Sequence, residues 1–163
     1  MNLSKFEHQF MDWKSLSEED KWFFVGDEYL PLHANHAERI SVIKGRVARE
    51  FCSEYFSRSQ HSLAYDSGKY TCSEHISTYN AWGNTEETQV IRQWLHNRGI
   101  PFSRTIYLIY DFTKVVKTDW KTLVSYWDAF SWSVGMAMIA VDSTEQWMCE
   151  FFHEDVITFY SYE

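Results

Sequence analysis

Three short groups of histidine, cysteine and acidic residues have the types and spacing from which chemistry is built. His33 and His36 are three positions apart, and Glu38 follows them. Imidazole and carboxylate groups suit zinc or iron when three or four of them converge on one ion. Because this group contains only two histidines, the sequence favours a polar surface here over a metal centre.

Cys72 and His75 form the second group, in the run C-S-E-H. A base beside a thiol can lower the thiol pKa and produce a reactive thiolate, and the same two side chains are half of a zinc site. No second pair lies nearby to supply the remaining ligands. We therefore predict no metal ion and no cofactor, and keep a small metal-dependent or thiol-dependent enzyme as an alternative.

His153, Glu154 and Asp155 form the third group, at a predicted turn between two strands. The carboxylates can raise the pKa of the imidazole or accept hydrogen bonds from a ligand, but polar residues are also what a hairpin turn requires. The chain has no glycine-rich phosphate loop, no G-x-S-x-G and no H-E-x-x-H motif. The common nucleotide-dependent enzymes and hydrolases are therefore not expected.

Negative charge and aromatic rings are concentrated at the C-terminus. The formal net charge is −8, and residues 122–163 contain seven acidic residues but no lysine or arginine. Carboxylates interleaved with large rings predict a face that docks on a basic protein and repels nucleic acid. The alternative is that the rings fill the core and the acids keep the outer face soluble. The predicted contact residues are Asp128, Trp132, Glu145, Trp147, Glu150, Glu154 and Asp155.

Helices are expected to dominate the first part of the chain. Ser17, followed by three acidic residues, is a typical N-cap of a short helix. Apolar residues at spacings of three and four predict one long helix over residues 36–58. Gly45 would lie inside that helix, at a cost of about 1 kcal/mol relative to alanine.

Two more helices carry cap signals. Asn84 or Thr85 begins one of them, and Gly99 stands where a left-handed C-terminal residue belongs. Thr118 is the predicted N-cap of the other, which covers residues 119–130.

Strands are predicted from short apolar runs. Residues 105–110 are β-branched and aromatic, and residues 70–82 contain a further strand of uncertain limits. An antiparallel meander of three strands closes the chain, over residues 135–141, 147–153 and 156–162. The predicted class is α+β, with N-terminal helices packed on a C-terminal antiparallel sheet.

Length and composition indicate a single domain over residues 1–163. Apolar residues make up 45% and charged residues 23%, and the 30 aromatic residues (12 Phe, 10 Tyr, 8 Trp) are too many for one core to hide completely. No apolar run has the length of a signal peptide or a membrane span, and the three cysteines form no Cys-x-x-Cys pair. These features predict a cytoplasmic protein with no membrane association.

Part of the C-terminal third resembles small bacterial proteins of the immunity type, which are encoded beside toxins. The resemblance lies in Thr118-Asp119-Trp120, residues 126–130 (Y-W-D-A-F), Trp147 and His153-Glu154. It implies a non-catalytic cytoplasmic protein that binds and blocks one cognate toxin.

The function predicted from the sequence is that of a protein-binding module with a basic protein partner. An enzyme that uses His33, His36, Cys72, His75 or His153 is one alternative. A self-associating structural subunit, in which exposed rings pair with a second copy, is another.

Overall fold

A computed structural model describes residues 3–24, 29–59, 70–132 and 137–162. The strands are β1 (Met11–Asp12), β2 (Ser41–Lys44), β3 (Cys72–Ser77), β4 (Thr105–Tyr110), β5 (Lys114–Asp119), β6 (Met138–Val141), β7 (Trp147–Phe152) and β8 (Val156–Ser161). The α-helices are α1 (Ala34–Ala37), α2 (Gly45–Ser59), α3 (Thr85–His96), α4 (Trp120–Ser125) and α5 (Trp127–Trp132). Three short 3₁₀ helices, Leu3–Gln9, Trp13–Ser15 and Glu19–Phe24, lie in the N-terminal segment.

The eight strands form one antiparallel sheet in the order β1-β2-β5-β4-β6-β7-β8-β3. Successive side chains of a strand point to opposite faces of a sheet. In β4, Leu108 and Tyr110 therefore face one hydrophobic cluster, whereas Tyr107 and Ile109 face another. A strand buried on both faces is a continuous apolar run, which explains the composition of β4.

Helices cover both faces. On the first face, α3, α4 and α5 contribute residues such as Leu95, Leu123 and Phe130 to the larger hydrophobic cluster. On the second face, α2 and the helix Leu3–Gln9 pack through Phe51 and Phe6 against the central strands. The site described below lies at one end of the first face.

The α+β class predicted from the sequence is confirmed. The strands β6, β7 and β8 are consecutive neighbours, as in the predicted meander, although residues 135–136 at the start of that prediction lie outside the described residues. The strand predicted within residues 70–82 is β3, and the predicted strand over residues 105–110 is β4. The sheet also takes β1, β2 and β5 from earlier in the chain, so strands are spread along it rather than following the helices.

The single helix predicted over residues 36–58 is wrong. The chain instead forms α1, then β2, and only then α2, which begins at Gly45. In β2, Val42 and Ile43 are buried on opposite faces of the sheet. Short apolar runs fit a buried strand as well as a helix, and periodicity alone does not distinguish them. The choice was made by pairing with β5, which no local signal in residues 36–44 indicates.

Gly45 is a junction residue rather than a mid-helix glycine. Its N–H donates to the carbonyl of Thr113 (2.8 Å), which continues the β2–β5 pairing, and its φ of +62° turns the chain into α2. No atom beyond its chain neighbours lies within 4 Å of the place where a Cβ would stand. The glycine is therefore needed for its backbone conformation and not for close packing.

Replacing Gly45 by alanine is expected to lower the free energy of unfolding by about 1–2 kcal/mol, because a left-handed conformation costs an L-residue about that much. Gly45→Asn should cost less, since asparagine tolerates this region better. Urea unfolding measures both changes. A gain in stability with alanine, as expected for a glycine inside a helix, would contradict the junction described here.

Two cap predictions have different outcomes. Of the two predicted caps of α3, Asn84 is the N-cap, and its side chain accepts hydrogen bonds from the N–H groups of Glu86 and Glu87. The cap predicted at Thr118 is wrong, because Asp119 occupies that position and accepts from the N–H of Thr122 (2.8 Å). The predicted helix over residues 119–130 is also divided into α4 and α5 at Tyr126.

The hydroxyl of Tyr126, at the interruption between α4 and α5, forms hydrogen bonds with residues before and within α1. It accepts from the backbone N–H of His33 (3.3 Å), lies 2.9 Å from Nδ1 of His36, and donates to the carbonyl of Pro31 (3.4 Å). The connection between α4 and α5 is thereby joined to the segment that leads into α1.

Among the helices of the described ranges, none has both the length and the hydrophobicity to cross a bilayer.

Candidate functional site

The structure distributes the seven predicted contact residues over several places. Glu145 lies in the turn before β7, whereas Glu154 and Asp155 lie in the turn after it. A six-residue strand is about 20 Å long, so these two turns are at opposite ends of β7. The seven residues therefore do not form one continuous face.

Trp147 belongs to the core. Its side chain is in the hydrophobic cluster of the first face, where it stacks on Phe159 with a centroid distance of 5.8 Å. Its indole N–H donates to a carboxylate oxygen of Asp142 (3.1 Å), which also lies 3.5 Å from the guanidinium of Arg104. The role of Trp147 in this structure is to pack the core and satisfy a buried carboxylate.

Glu150 lies on the second face of the sheet, away from the helices α3 to α5. It is paired in register with Ile139 of β6 and Thr158 of β8. The hydroxyl of Tyr160 donates to its carboxylate (3.5 Å), and burial raises the pKa of Glu150. Glu150 and Trp147 therefore point to opposite faces of the same strand.

The pairing of β3 with β8 brings another group of residues together. Ser77, the last residue of β3, is directly opposite Val156, the first residue of β8. The loop that follows Ser77 therefore lies beside the turn that precedes Val156. A hydrogen bond from the N–H of Thr78 to the carbonyl of Asp155 (2.8 Å) joins the loop and the turn.

A small cleft opens where this loop and turn meet the end of α5. We name it the His153 cleft; its volume is about 190 Å³. Its walls are mainly aromatic, and the lysine and arginine residues of the described chain do not line it. Its lining includes Thr78, Trp82, Trp127, Trp132, His153 and Asp155.

Three tryptophans form a row beside this cleft, from the surface inwards. Trp82 is 63% exposed, and its ring lies 4.7 Å from that of the half-buried Trp132. Trp132 in turn lies 4.8 Å from Trp127, which is completely buried. The outer ring is therefore held by contacts with the core although most of its surface is in solvent.

A second cleft, of about 350 Å³, shares Trp82 and Trp132 with the His153 cleft. We name it the Asp128 cleft, after the carboxylate that lines it together with Arg92. Tyr29 and Leu30 also line it. Trp82 and Trp132 therefore line both clefts.

Asp128 and Arg92 form a buried ion pair. Their closest atoms are 3.6 Å apart, and their side chains are 7% and 12% exposed. Arg92 also donates from Nε to the carbonyl of Ser125 (3.1 Å), and Asp128 accepts from the N–H of Ala129 (3.0 Å). Burial raises the pKa of Asp128, and the charge of Arg92 only partly opposes this effect. The pair links α3 to α5 and is not an exposed charge that could steer a partner.

Exposed aromatic rings and two acidic residues of the turn between β7 and β8 form a surface around these clefts. We name it the Trp82 surface and define it by Leu30, Tyr79, Trp82, Trp132, Glu154 and Asp155. Tyr79 is 73% exposed and Leu30 48%, and both residues of the turn are exposed. Glu86 and Glu87, in the first turn of α3, follow closely in the chain. The surface is therefore both aromatic and acidic.

Sequence reasoning found Trp132, Glu154 and Asp155 but missed Tyr79 and Trp82. Those two residues lie in a stretch without hydrophobic periodicity, so no pattern pointed to them. One local signal was present: Trp82 comes just before Gly83 and the helix cap Asn84, and residues that precede an N-cap lie outside the helix.

His36, Cys72 and His75 are not part of the Trp82 surface. Burial, with contributions from the charges of Lys121 and Arg39, lowers the pKa of His36, which favours the neutral form of its imidazole beside Tyr126. Cys72 and His75 are an odd number of residues apart in β3, so their side chains point to opposite faces of the sheet. Across the ranges that the structure describes, no three His, Cys, Asp or Glu side chains are placed to share a metal ion.

The geometry thus singles out the Trp82 surface, where a loop, a hairpin turn and the end of a helix meet. It combines an exposed ring that packs on more deeply buried rings, carboxylates in a turn, and two clefts that share lining residues. No family model, curated protein or solved structure matches this chain.

Proposed function

We propose that this protein is a non-catalytic binding protein that docks on a basic protein through the Trp82 surface. The observation that carries the proposal is the exposure of Trp82 and Tyr79 in the loop that a hydrogen bond joins to the turn of Glu154 and Asp155. Tryptophan and tyrosine are enriched among the residues that dominate binding energy. Carboxylates around them accelerate association with a basic protein and disfavour acidic ones.

The support beneath these rings favours binding further. Trp82 packs on Trp132, and the hydrogen bond between Thr78 and Asp155 holds the loop to the turn. Binding costs less free energy when the contact residues are already ordered in the free protein. In this proposal the N-terminal helices on the second face are the scaffold, and the first-face end of the sheet carries the partner.

Three of the seven contact residues predicted from the sequence belong to this surface: Trp132, Glu154 and Asp155. Asp128 acts indirectly in the proposal, because it lines the neighbouring cleft and binds α3 to α5 through Arg92. Glu145, Trp147 and Glu150 are assigned no contact with the partner.

The resemblance to immunity-type proteins suggests the kind of partner. We propose a basic toxin or effector, bound and blocked in the cytoplasm by an acidic protein of net charge −8. Inhibition of this kind needs only that the bound chain covers the toxin's working surface. It requires no reaction on the part of the inhibitor.

Site-specific crosslinking in the host cell tests the location of the surface. A photoreactive phenylalanine analogue in place of Tyr79 is expected to crosslink to a basic protein, whereas the same analogue at Phe102 is not. Phe102 is the matched control because it is also an exposed ring, 43% exposed, outside the Trp82 surface. Equal crosslinking from both positions would contradict the proposal. Crosslinking of Tyr79 to a second copy would replace it by self-association.

Calorimetry with the identified partner then tests the energetics. Trp82→Ala is expected to weaken binding at least about tenfold, and added salt is expected to weaken it further. Phe102→Ala and the double variant Glu145→Lys, Glu150→Lys should leave the affinity unchanged. If the double variant weakens binding and Trp82→Ala does not, the partner binds elsewhere on the chain.

A further inference from the structure

The size of the His153 cleft limits what it can hold. Its volume of about 190 Å³ is below the roughly 300–1,000 Å³ that is usual for small-molecule sites. It lies within the Trp82 surface and is bounded by Trp82, Trp132 and Asp155. A cleft of this size at a docking surface fits one protruding side chain.

The lining of the cleft determines the chemistry of that side chain. Indole faces attract cations, and a carboxylate at the same opening adds an ion pair. Asp155, which lines the cleft, supplies the carboxylate, and among the described residues no lysine or arginine lines the cleft to compete for it. The partner side chain expected from this lining is therefore apolar along its stem and positively charged at its end.

We infer that the His153 cleft is the socket for one arginine of the bound partner, whose guanidinium stacks on Trp82 and pairs with Asp155. The inference rests on the proposed function and names the chemistry of the contact. Arginine is preferred to lysine because its planar guanidinium stacks on aromatic rings and bonds a carboxylate through two N–H groups. Lysine carries a compact and strongly hydrated charge that does neither.

A competing reading of the cleft comes from Trp127. In the described part of the chain, its buried indole N–H has no hydrogen-bond partner although Trp127 lines the cleft. A neutral group that carries an acceptor would satisfy this donor, whereas a guanidinium has no acceptor. A neutral analogue of arginine with a carbonyl oxygen is therefore the most demanding control.

The test uses the whole chain labelled with ¹⁵N and the indole N–H signals of Trp82, Trp127 and Trp132. N-acetylarginine methylamide is the probe, and N-acetylcitrulline methylamide, which has nearly the same shape but no charge, is the control. Arginine is expected to shift the Trp82 and Trp132 signals saturably, with binding at least about tenfold tighter than citrulline. Equal binding of the two probes, or no saturable shift with arginine, would overturn the socket.

Matched variants test the assigned residues. Asp155→Asn is expected to weaken arginine binding about fivefold through loss of the ion pair. Asp111→Asn is its control, because Asp111 is also an exposed aspartate with positive φ in a hairpin turn, and asparagine tolerates that conformation at both positions. Trp82→Ala should abolish binding, and Trp82→Phe should retain part of it. Unchanged binding in Asp155→Asn would remove the carboxylate from the site and overturn the inference.

The two proposals fail separately. If the natural partner still depends on Trp82 for binding but the arginine probe does not bind, the socket is wrong and the docking surface stands. If neither the partner nor the probe depends on Trp82, both proposals are wrong.

Discussion

Replacing Arg92 by methionine is expected to lower the free energy of unfolding by about 3 kcal/mol at pH 7, because it leaves the carboxylate of Asp128 buried without its counter-charge. Methionine retains most of the apolar contact of the arginine stem, so packing changes little. Urea unfolding at a series of pH values measures the effect. The bond from Arg92 to the carbonyl of Ser125 is lost in the same variant and adds to the cost.

The deficit should depend on pH in a defined direction. Burial raises the pKa of Asp128 above its ordinary value of 3.8, and removal of Arg92 raises it further. Between the unfolded and folded pKa values, the folded chain binds more protons than the unfolded chain, so stability falls as pH rises. The variant should therefore approach the parent below pH 4 and lose most at pH 7.

The double variant Arg92→Met, Asp128→Asn separates charge from packing. With both charges removed, most of the lost stability should return, and the pH dependence of the deficit should disappear. A deficit in Arg92→Met that is the same at pH 4 and pH 7 would contradict the assignment of Asp128 as the affected group.

Asp119→Ala is expected to cost about 2 kcal/mol, because Asp119 is both the N-cap of α4 and the ion-pair partner of Arg39. The cap is the larger part, since an N-cap is worth about 1 kcal/mol and the N–H of Thr122 would be left buried without an acceptor. The ion pair is worth less, because the side chain of Arg39 is 47% exposed and solvent screens it. Asp119→Asn, which keeps an acceptor, should recover most of the loss.

Thr118→Val is the matched control for this cap. The buried hydroxyl of Thr118 has no hydrogen-bond partner within the described residues, so replacing it by a methyl group should leave stability unchanged or raise it slightly. Chemical denaturation of the three variants distinguishes the two assignments. A loss in Thr118→Val as large as that in Asp119→Ala would restore Thr118 as the cap.

The two helix caps show what the local sequence predicts and what it leaves open. For α3 the sequence offered Asn84 or Thr85, and the structure selects Asn84, whose side chain accepts hydrogen bonds from the N–H groups two and three residues later. Thr118 and Asp119 are adjacent and both are good caps, so the residue types alone could not separate them. The end of β5 decided between them, because pairing with β4 extends through Asp119.

The division of residues 36–59 between β2 and α2 could not be predicted from the local sequence. Ile40, Ile43 and Val47 are spaced as in a helix, and the sequence contains no other periodic signal there. Pairing of β2 with β5, 70 to 76 residues later, overrides that spacing. Gly45 becomes intelligible only after the pairing is known, as the residue that turns a strand into a helix.

The sequence by itself determined the α+β class, the start of α3 to within one residue, the strand β4 and the presence of an acidic, aromatic C-terminal region. Each of these depends on composition or on residues close together in the chain. Only the tertiary structure decided which rings and carboxylates form one surface. The register of β3 with β8 brings Trp82 close to Asp155, and the indoles of Trp82, Trp127 and Trp132 line the same cleft as Asp155. Residues more than 70 positions apart meet there through backbone pairing, a physical cause that is not encoded in either segment alone.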